Sequence, residues 1–388
     1  MSCPSSSNRF DGGMDMREVV VMGVGMHKFG RFPDKSVQDL GREAIQNALE
    51  DGGIPFKEIE AAYVGHVYQP MGTGADVVNQ FGQTGIPITN MEVACTSSTQ
   101  GLIRAYWEIA SGLYDVVLTV GVEKMQRGLL QGTTAPGSYE EVMGLKVMPA
   151  VYAMKTKRHM HEYGTTFRQL AMCSVKEHKN GCLNPYAQYQ KPCTVEEVMN
   201  SRMIADPITL LMCSPTSDGA SAAVLCAKDK AGRYTSKPLV TIASWAFGSD
   251  LYAKEEGEGE FAGVEVLANR AYEMAGIEPK DVDVAQIHDA FSPGEIFLPE
   301  ALGLVPKGEG GPWVEAGRTD IGGDIPINTD GGLVSRGHPV GATGLAQVAE
   351  LVWQLRGEAG PRQVSGNPKV ALQHNAGIGG VCVNIFKK

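Results

Sequence analysis

Val93-Ala94-Cys95-Thr96-Ser97-Ser98 runs into Gly101-Leu102-Ile103-Arg104-Ala105, and Arg336-Gly337-His338-Pro339-Val340-Gly341-Ala342-Thr343 runs into Gly344-Leu345-Ala346. A shift of 243 positions lays Gly101 on Gly344, Leu102 on Leu345 and Cys95 on His338. A second match lies upstream at a shift of 223, where Gly53-Ile54, Lys57-Glu58-Ile59 and Ala62 fall on Gly276-Ile277, Lys280-Asp281-Val282 and Ala285. A chain that repeats itself in this way is a duplicated α/β unit. Its pseudo-twofold axis can bring a thiol to an imidazole, a nucleophile facing its base.

Strand-like runs stand at Glu18–Met22, Val116–Val120, Ala222–Cys226, Leu239–Ile242, Val282–Ile287, Val370–Leu372 and Val381–Ile385. They alternate with helical periodicity at Val37–Glu50, Gly101–Ser111, Val264–Ala275 and Ala342–Leu355, a pattern of buried strands in a mixed or parallel sheet. Gly112, Gly276 and Gly357 stand where C-terminal glycines close helices. The repeat has a third leg, since Asp218–Val224 resembles Ala376–Cys382. The expected organisation is a disordered tail (1–16), a first half (17–124 with 206–236), an inserted, mostly helical loop domain (125–205), and a second half (237–388). A long insert between core strands commonly carries a lid or binding surface.

No apolar run approaches the ~20 residues of a membrane helix, and the Ser-rich start has no apolar signal core. The eight cysteines include no C-x-x-C pair, so a reduced, cytoplasmic protein is expected rather than a disulfide frame or zinc ribbon. A net charge of −10 argues against nucleic acid and leaves an anionic cofactor to a local basic patch. Lys155, Lys157 and Arg158 form such a cluster.

Cys95 precedes a helix start, whose unpaired N–H groups are expected to lower its pKa, with Thr96-Ser97-Ser98 suited to a capping turn. His338, in a glycine-rich loop, is placed to serve as its base. His288 emerges at a strand end, where it could donate to a developing enolate oxygen. Gln373-His374-Asn375 precedes the glycine turn Gly377–Gly380 and could complete an oxyanion hole. His159-Met160-His161 with His178 lacks a carboxylate or cysteine placed to finish a metal site. Gly23-Val24-Gly25 lacks the third glycine and the ribose-binding acid of a dinucleotide fingerprint.

Taken together, these motifs resemble the thiolase superfamily, from about Arg17 to Lys388, and most of all its sterol-carrier-protein-type branch. The likeness rests on Arg158-His159-Met160 with Glu162–Thr166, Cys213-Ser214-Pro215 with Ser217-Asp218-Gly219, His288-Asp289 with Phe291, Gly337-His338-Pro339, and Gln373-His374-Asn375. The resemblance implies a five-layered α-β-α-β-α fold, a homodimer core, and coenzyme A as a substrate, with no tightly bound cofactor and no metal in this chain. It implies that Cys95 accepts the acyl group, His338 activates it, and His288 with a water holds the thioester oxygen. The Cys95 N–H and a glycine of the 377–380 turn, Gly379, would hold the other oxygen, with Asn375 in support. The second cysteine of the branch is replaced by Ala290, which leaves His288 or His66 as stand-in acids. The branch includes proteins with a small zinc-ribbon/OB-fold accessory subunit, implying such a partner and a bulky or aromatic acyl-CoA, benzoylsuccinyl-CoA being one candidate. Two rival readings are a retro-aldol lyase acting on a CoA thioester and a non-catalytic acyl-CoA-binding subunit.

Overall fold

Val19–Met26, with four valines in eight residues, is suited to a strand covered on both faces, and all eight residues are buried. It opens a computed structural model that describes residues 16–128, 137–143, 147–249 and 261–388. Except for Met16, the expected tail lies outside the described residues. The first half runs β1 (Val19–Met26), α1 (Val37–Gly52), β2 (Ala61–Gly65), α2 (Thr73–Val78), β3 (Ile88–Met91), α3 (Ser97–Ala110) and β4 (Val116–Lys124). Next come α4 (Tyr139–Val142), α5 (Met148–Tyr163), α6 (Phe167–Gly181), α7 (Val195–Asn200), the two-stranded β5 (Met203–Ala205) and β6 (Ile208–Thr209), β7 (Asp218–Ala227) and α8 (Lys228–Ala231). The second half runs β8 (Val240–Gly248), α9 (Ala262–Ala275), β9 (Val284–Gln286), α10 (Gly294–Ala301), α11 (Gly310–Glu315), α12 (Thr343–Arg356), β10 (Val370–Gly377) and β11 (Gly380–Lys387).

The strands lie in the order β3-β2-β4-β7-β1-β8-β11-β10-β9. In the first half Ala62 of β2 pairs with Ile88 and Leu118 on its two sides. In the second half its repeat counterpart Ala285 pairs with Ile327 and Leu372. The duplication seen in sequence is thus a duplication of strand order, and the halves join at β1 and β8 through two residue pairs, Val20–Thr241 and Val21–Val240.

Alternation along each strand sorts its side chains into layers. Val20 and Met22 of β1, with Leu118 and Val120 of β4, pack on the α1 side. Val19 and Val21, with Val117, face inward with Leu102, Ala105 and Ile109 of α3 and Leu345, Val348 and Leu351 of α12. Ala285, Leu372, Val383 and Ile385 face α9 and α10 on the far side. Every residue of α12 except Trp353 is buried, as befits a helix sandwiched between the two halves of the sheet. Five layers result: helices, the first half of the sheet, the α3/α12 pair, the second half of the sheet, helices.

Several expected strands prove longer, and β2 and β3 carried too little alternation to be read from sequence. Gly23 and Gly25 have a packing role: a Cβ on either would stand 2.1 Å from the Ala48 carbonyl oxygen or 2.3 Å from that of Ala44 in α1. They let the helix lie directly on the strand.

Candidate active site

Cys95 sits two residues before α3 in a turn that the backbone does not adopt easily, for Ala94 has φ +46°. Side chains of the following turn hold it there. The Thr96 hydroxyl donates to the Val93 carbonyl (2.7 Å), the Ser97 hydroxyl donates to the Ala94 carbonyl (2.6 Å), and the Val93 N–H donates to Ser97 Oγ (2.9 Å). Thr96 therefore braces the turn and does not cap the helix with its side chain.

From the second half, His288 follows β9 and His338 stands in the loop before α12. The Cys95 thiol and one ring nitrogen of each histidine lie within 4.8 Å of one another. The two imidazoles meet edge to face, with centroids 5.1 Å apart. Asn375 Nδ2 is 3.0 Å from His288 Nδ1, and Thr343 Oγ1 is 2.7 Å from His338 Nδ1. The backbone N–H of His338 donates to Ser217 Oγ at 3.0 Å. The repeat thus brings together the residues it matched in sequence, across the α3/α12 layer.

All three groups line a cavity of about 670 Å³, an ordinary size for a ligand site. Its walls include Met148, Val151 and Tyr152 of the insert, Phe261, Ala290 and Ile378. Burial pushes the Cys95 thiol up to about 12, with the Glu123 carboxylate adding to the effect. The sequence-based expectation of a lowered thiol is corrected here, because desolvation outweighs the helix terminus. Burial lowers His338 to about 3, helped by the Arg336 guanidinium, and holds His288 well below the usual imidazole range. The resting pair is a neutral thiol beside a neutral imidazole.

Other expected residues fall elsewhere. Gly379 is at the tip of the β10–β11 turn with open space around it, whereas a Cβ on Gly377 would stand 2.7 Å from the Cys95 backbone nitrogen. The glycine packed against Cys95 is therefore Gly377. His66 is buried beside Asn90 (3.3 Å) and is not among the cavity-lining residues. The basic cluster divides between helix faces. Lys155 lines the cavity, its ammonium 4.9 Å from the Phe261 ring centroid, while Lys157 pairs with Asp206 (2.6 Å) and Arg158 with Glu162 (2.7 Å). Arg202, which the sequence did not single out, lines the cavity as well. His159 is bound to Thr165 and Glu300, and His178 stacks on Tyr189. Ala290 faces the cavity, whereas Cys382 is buried in β11 beside Gln100.

Glu123 is a further residue that sequence reasoning missed. Fully buried, it accepts from Val67 N–H (2.9 Å), Tyr68 N–H (3.1 Å), the Gln69 amide (2.8 Å) and Gly341 N–H (3.0 Å), tying the first half to the His338 loop. Beneath the site, the carboxylates of Glu177, Asp289 and Glu295 lie within 4.8 Å of one another. Lys176 is paired with Glu295, and burial raises Glu177 far above the usual carboxylate range. Asp289 also accepts the Leu333 N–H (2.9 Å), which pins the His288 turn to the His338 loop.

Residues 19–229 match the family model "Thiolase, N-terminal domain", and residues 251–385 match "Thiolase C-terminal domain-like". The chain is 43% identical to an acetyl-CoA acetyltransferase of Methanothermobacter thermautotrophicus, over 96% of this chain and 100% of that protein. It is also 43% identical to sterol carrier protein 2 of Bos taurus, over 95% of this chain and 72% of that protein. Among solved structures, an Ltp2-ChsH2(DUF35) aldolase superposes with a TM-score of 0.84 at 24% identity, covering 96% of this chain and 98% of that one. Human mitochondrial 3-ketoacyl-CoA thiolase superposes with a TM-score of 0.73 at 18% identity, covering 97% and 100%. These two establish likeness of fold alone. With both family domains matched in order and the duplicated five-layered architecture in place, the chain belongs to the thiolase family, as an acyltransferase for which coenzyme A is a substrate.

Proposed function

We propose that this chain cleaves a β-ketoacyl-CoA with coenzyme A through an acyl-Cys95 intermediate. The observation that carries this reading is the convergence of Cys95, His288 and His338 at one cavity, from opposite halves of the fold. His338 takes the thiol proton as the sulfur attacks the β-keto carbon. The oxygen on that carbon is held by the N–H groups of Cys95 and Gly377, and His288 holds the thioester oxygen as the carbon–carbon bond breaks to an enolate. Ala290 offers no proton, so the His338 imidazolium returns the one it took from Cys95 to the enolate carbon. A histidine lowered to about 3 is a reluctant base but a strong acid once charged. The incoming CoA thiol then gives its proton to His338 and attacks the acyl-cysteine, and His338 passes that proton to the departing Cys95 sulfur.

The apolar walls suit a bulky acyl group, of which benzoylsuccinyl is one, and Lys155 and Arg202 offer cationic partners to the phosphates of CoA. The half-exposed edge strand β3 provides unpaired backbone groups for a homodimer. The sterol-carrier-protein-type motifs, with the fold likeness to an Ltp2-ChsH2(DUF35) aldolase, support a small zinc-ribbon/OB-fold partner. A second chain with stoichiometric zinc should therefore co-purify with untagged native protein. The retro-aldol reading has fold likeness in its favour, but in that reading tyrosines stand in place of the two histidines present here.

Intact-mass analysis after incubation with a panel of β-ketoacyl-CoAs, without free CoA, tests the reaction. We expect an acyl mass on the unmodified protein and none on Cys95→Ala, with thiolysis abolished. Substantial turnover in Cys95→Ala would overturn the mechanism.

A further inference from the structure

The two histidines carry different duties, yet both are buried and neutral in the same cavity wall. A neutral imidazole is a base at one nitrogen and a donor at the other, and its hydrogen-bond partners decide which. We propose that Thr343 and the Thr99–Asn375 pair fix His338 and His288 in opposite tautomers, making one the base and the other the oxyanion donor. The inference rests on the thiolase reading above and adds three positioning residues to it.

For His338 the anchor is a backbone carbonyl. Thr343 Oγ1 lies 3.0 Å from the Pro339 carbonyl oxygen and 2.7 Å from His338 Nδ1. The hydroxyl donates to the Pro339 carbonyl, which also accepts the Ala342 and Thr343 N–H groups, and the oxygen lone pair then receives Nδ1–H. That leaves Nε2 bare, as a base requires.

For His288 the anchor is the Gly344 carbonyl, reached through four side-chain contacts. Gln373 Nε2 donates to it at 2.7 Å, and the Asn384 amide donates to Gln373 Oε1 at 2.8 Å, which together fix the orientation of the Gln373 amide. The same Nε2 faces Gln347 Oε1 at 3.3 Å and Thr99 Oγ1 at 3.4 Å, and the Thr99 hydroxyl donates to Asn375 Oδ1, 2.8 Å away. Asn375 must then present Nδ2 to His288 Nδ1, at 3.0 Å. Nδ1 accepts, and the ring proton sits on Nε2, where it can donate to an oxyanion. Thr99, Gln373, Asn375, Asn384 and Thr343 are all fully buried, so water does not compete for these bonds. The metal-like grouping of Cys95 with the two histidines is disfavoured for the same reason. Turning His288 into a ligand at Nε2 would aim a proton on Nδ1 at an amide N–H.

The test needs no variant to begin. Eight histidines are few enough for 15N-histidine labelling, and long-range 1H–15N correlation separates Nδ1–H from Nε2–H forms, with His288→Asn and His338→Asn for assignment. We expect His338 as Nδ1–H and His288 as Nε2–H at pH 7. Asn375→Asp offers an acceptor to Nδ1 and should switch His288 to the Nδ1–H form. Turnover should then fall about 10²–10³-fold, the usual cost of one oxyanion donor, at little-changed KM. Thr343→Val should slow both turnover and alkylation of Cys95 by at least tenfold, and Thr343→Ser should restore them. Like tautomers on the two rings, or an Asn375→Asp protein with unchanged tautomer and turnover, would overturn the inference. Retained turnover in Cys95→Ala would instead remove the thiolase reading and leave the tautomers standing.

Discussion

Cys95 and His338 meet as neutral partners, and the chemistry of the pocket starts from that state. With the thiol near 12, roughly one molecule in 10⁵ carries a thiolate at pH 7. Alkylation of Cys95 by iodoacetamide should therefore climb about tenfold per pH unit between pH 7 and 10. A plateau near neutrality would instead reveal a standing thiolate–imidazolium pair. Glu123→Gln removes a negative charge that raises the thiol, so alkylation at pH 8 should quicken several-fold even as the tie to Gly341 weakens. Ala290→Cys places a thiol on the cavity wall and should speed deuterium exchange at the α-carbon of the acyl-CoA product. General acid catalysis is worth about two to four orders of magnitude, and no gain in exchange would show that His338 already suffices. Cys95, His288 and His338 were legible in the sequence because the repeat and short local motifs frame them. Thr99 was not, since its partner Asn375 lies 276 residues away, and nothing local in Ser97-Ser98-Thr99 marks one hydroxyl above the others. Gly377 and Gly379 could not be told apart either, for only the approach of Cys95 distinguishes them.

The crossing of α3 and α12 sets how closely the two halves approach. A Cβ on Gly344 would stand 2.0 Å from Thr99 Oγ1 and 3.0 Å from Asn375 Oδ1, so Gly344→Ala must push the helices apart or displace the hydroxyl. Overpacking of this kind costs about 1–3 kcal/mol, and the urea midpoint should fall accordingly. An unchanged midpoint would mean that the layer has slack. Helices and long strands were largely readable, because alternation and 3.6-residue periodicity run for many residues in β1, α1 and α12. Ala61-Ala62-Tyr63-Val64-Gly65 and Ile88-Thr89-Asn90-Met91 are too short and too mixed to show a period, and it is their pairing in the sheet that makes them strands.

At the scale of the whole molecule, burial of neutral imidazoles couples stability to pH. His338 is held at about 3, His374 at about 4, and His288 well below its usual range, each by burial first. The unfolded chain binds these protons near 6.5, so the stabilisation is complete above that pH and is lost as the pH falls toward the folded values. By pH 5 His338 and His374 should each cost about 2 kcal/mol of stability. A urea midpoint equal at pH 5 and pH 7 would contradict this account. The thiol works in the other direction, since the unfolded chain ionises near 9 and the folded one near 12, so stability also falls above pH 9. The same inequality bears on the lifetime of the protein. A growing chain releases Cys95 long before His338, and until the halves close the thiol ionises as any exposed cysteine does, about a thousand times more readily than in the finished pocket. Oxidants and electrophiles thus meet their most vulnerable target during synthesis and refolding, and the resting enzyme shelters the atom on which its chemistry depends.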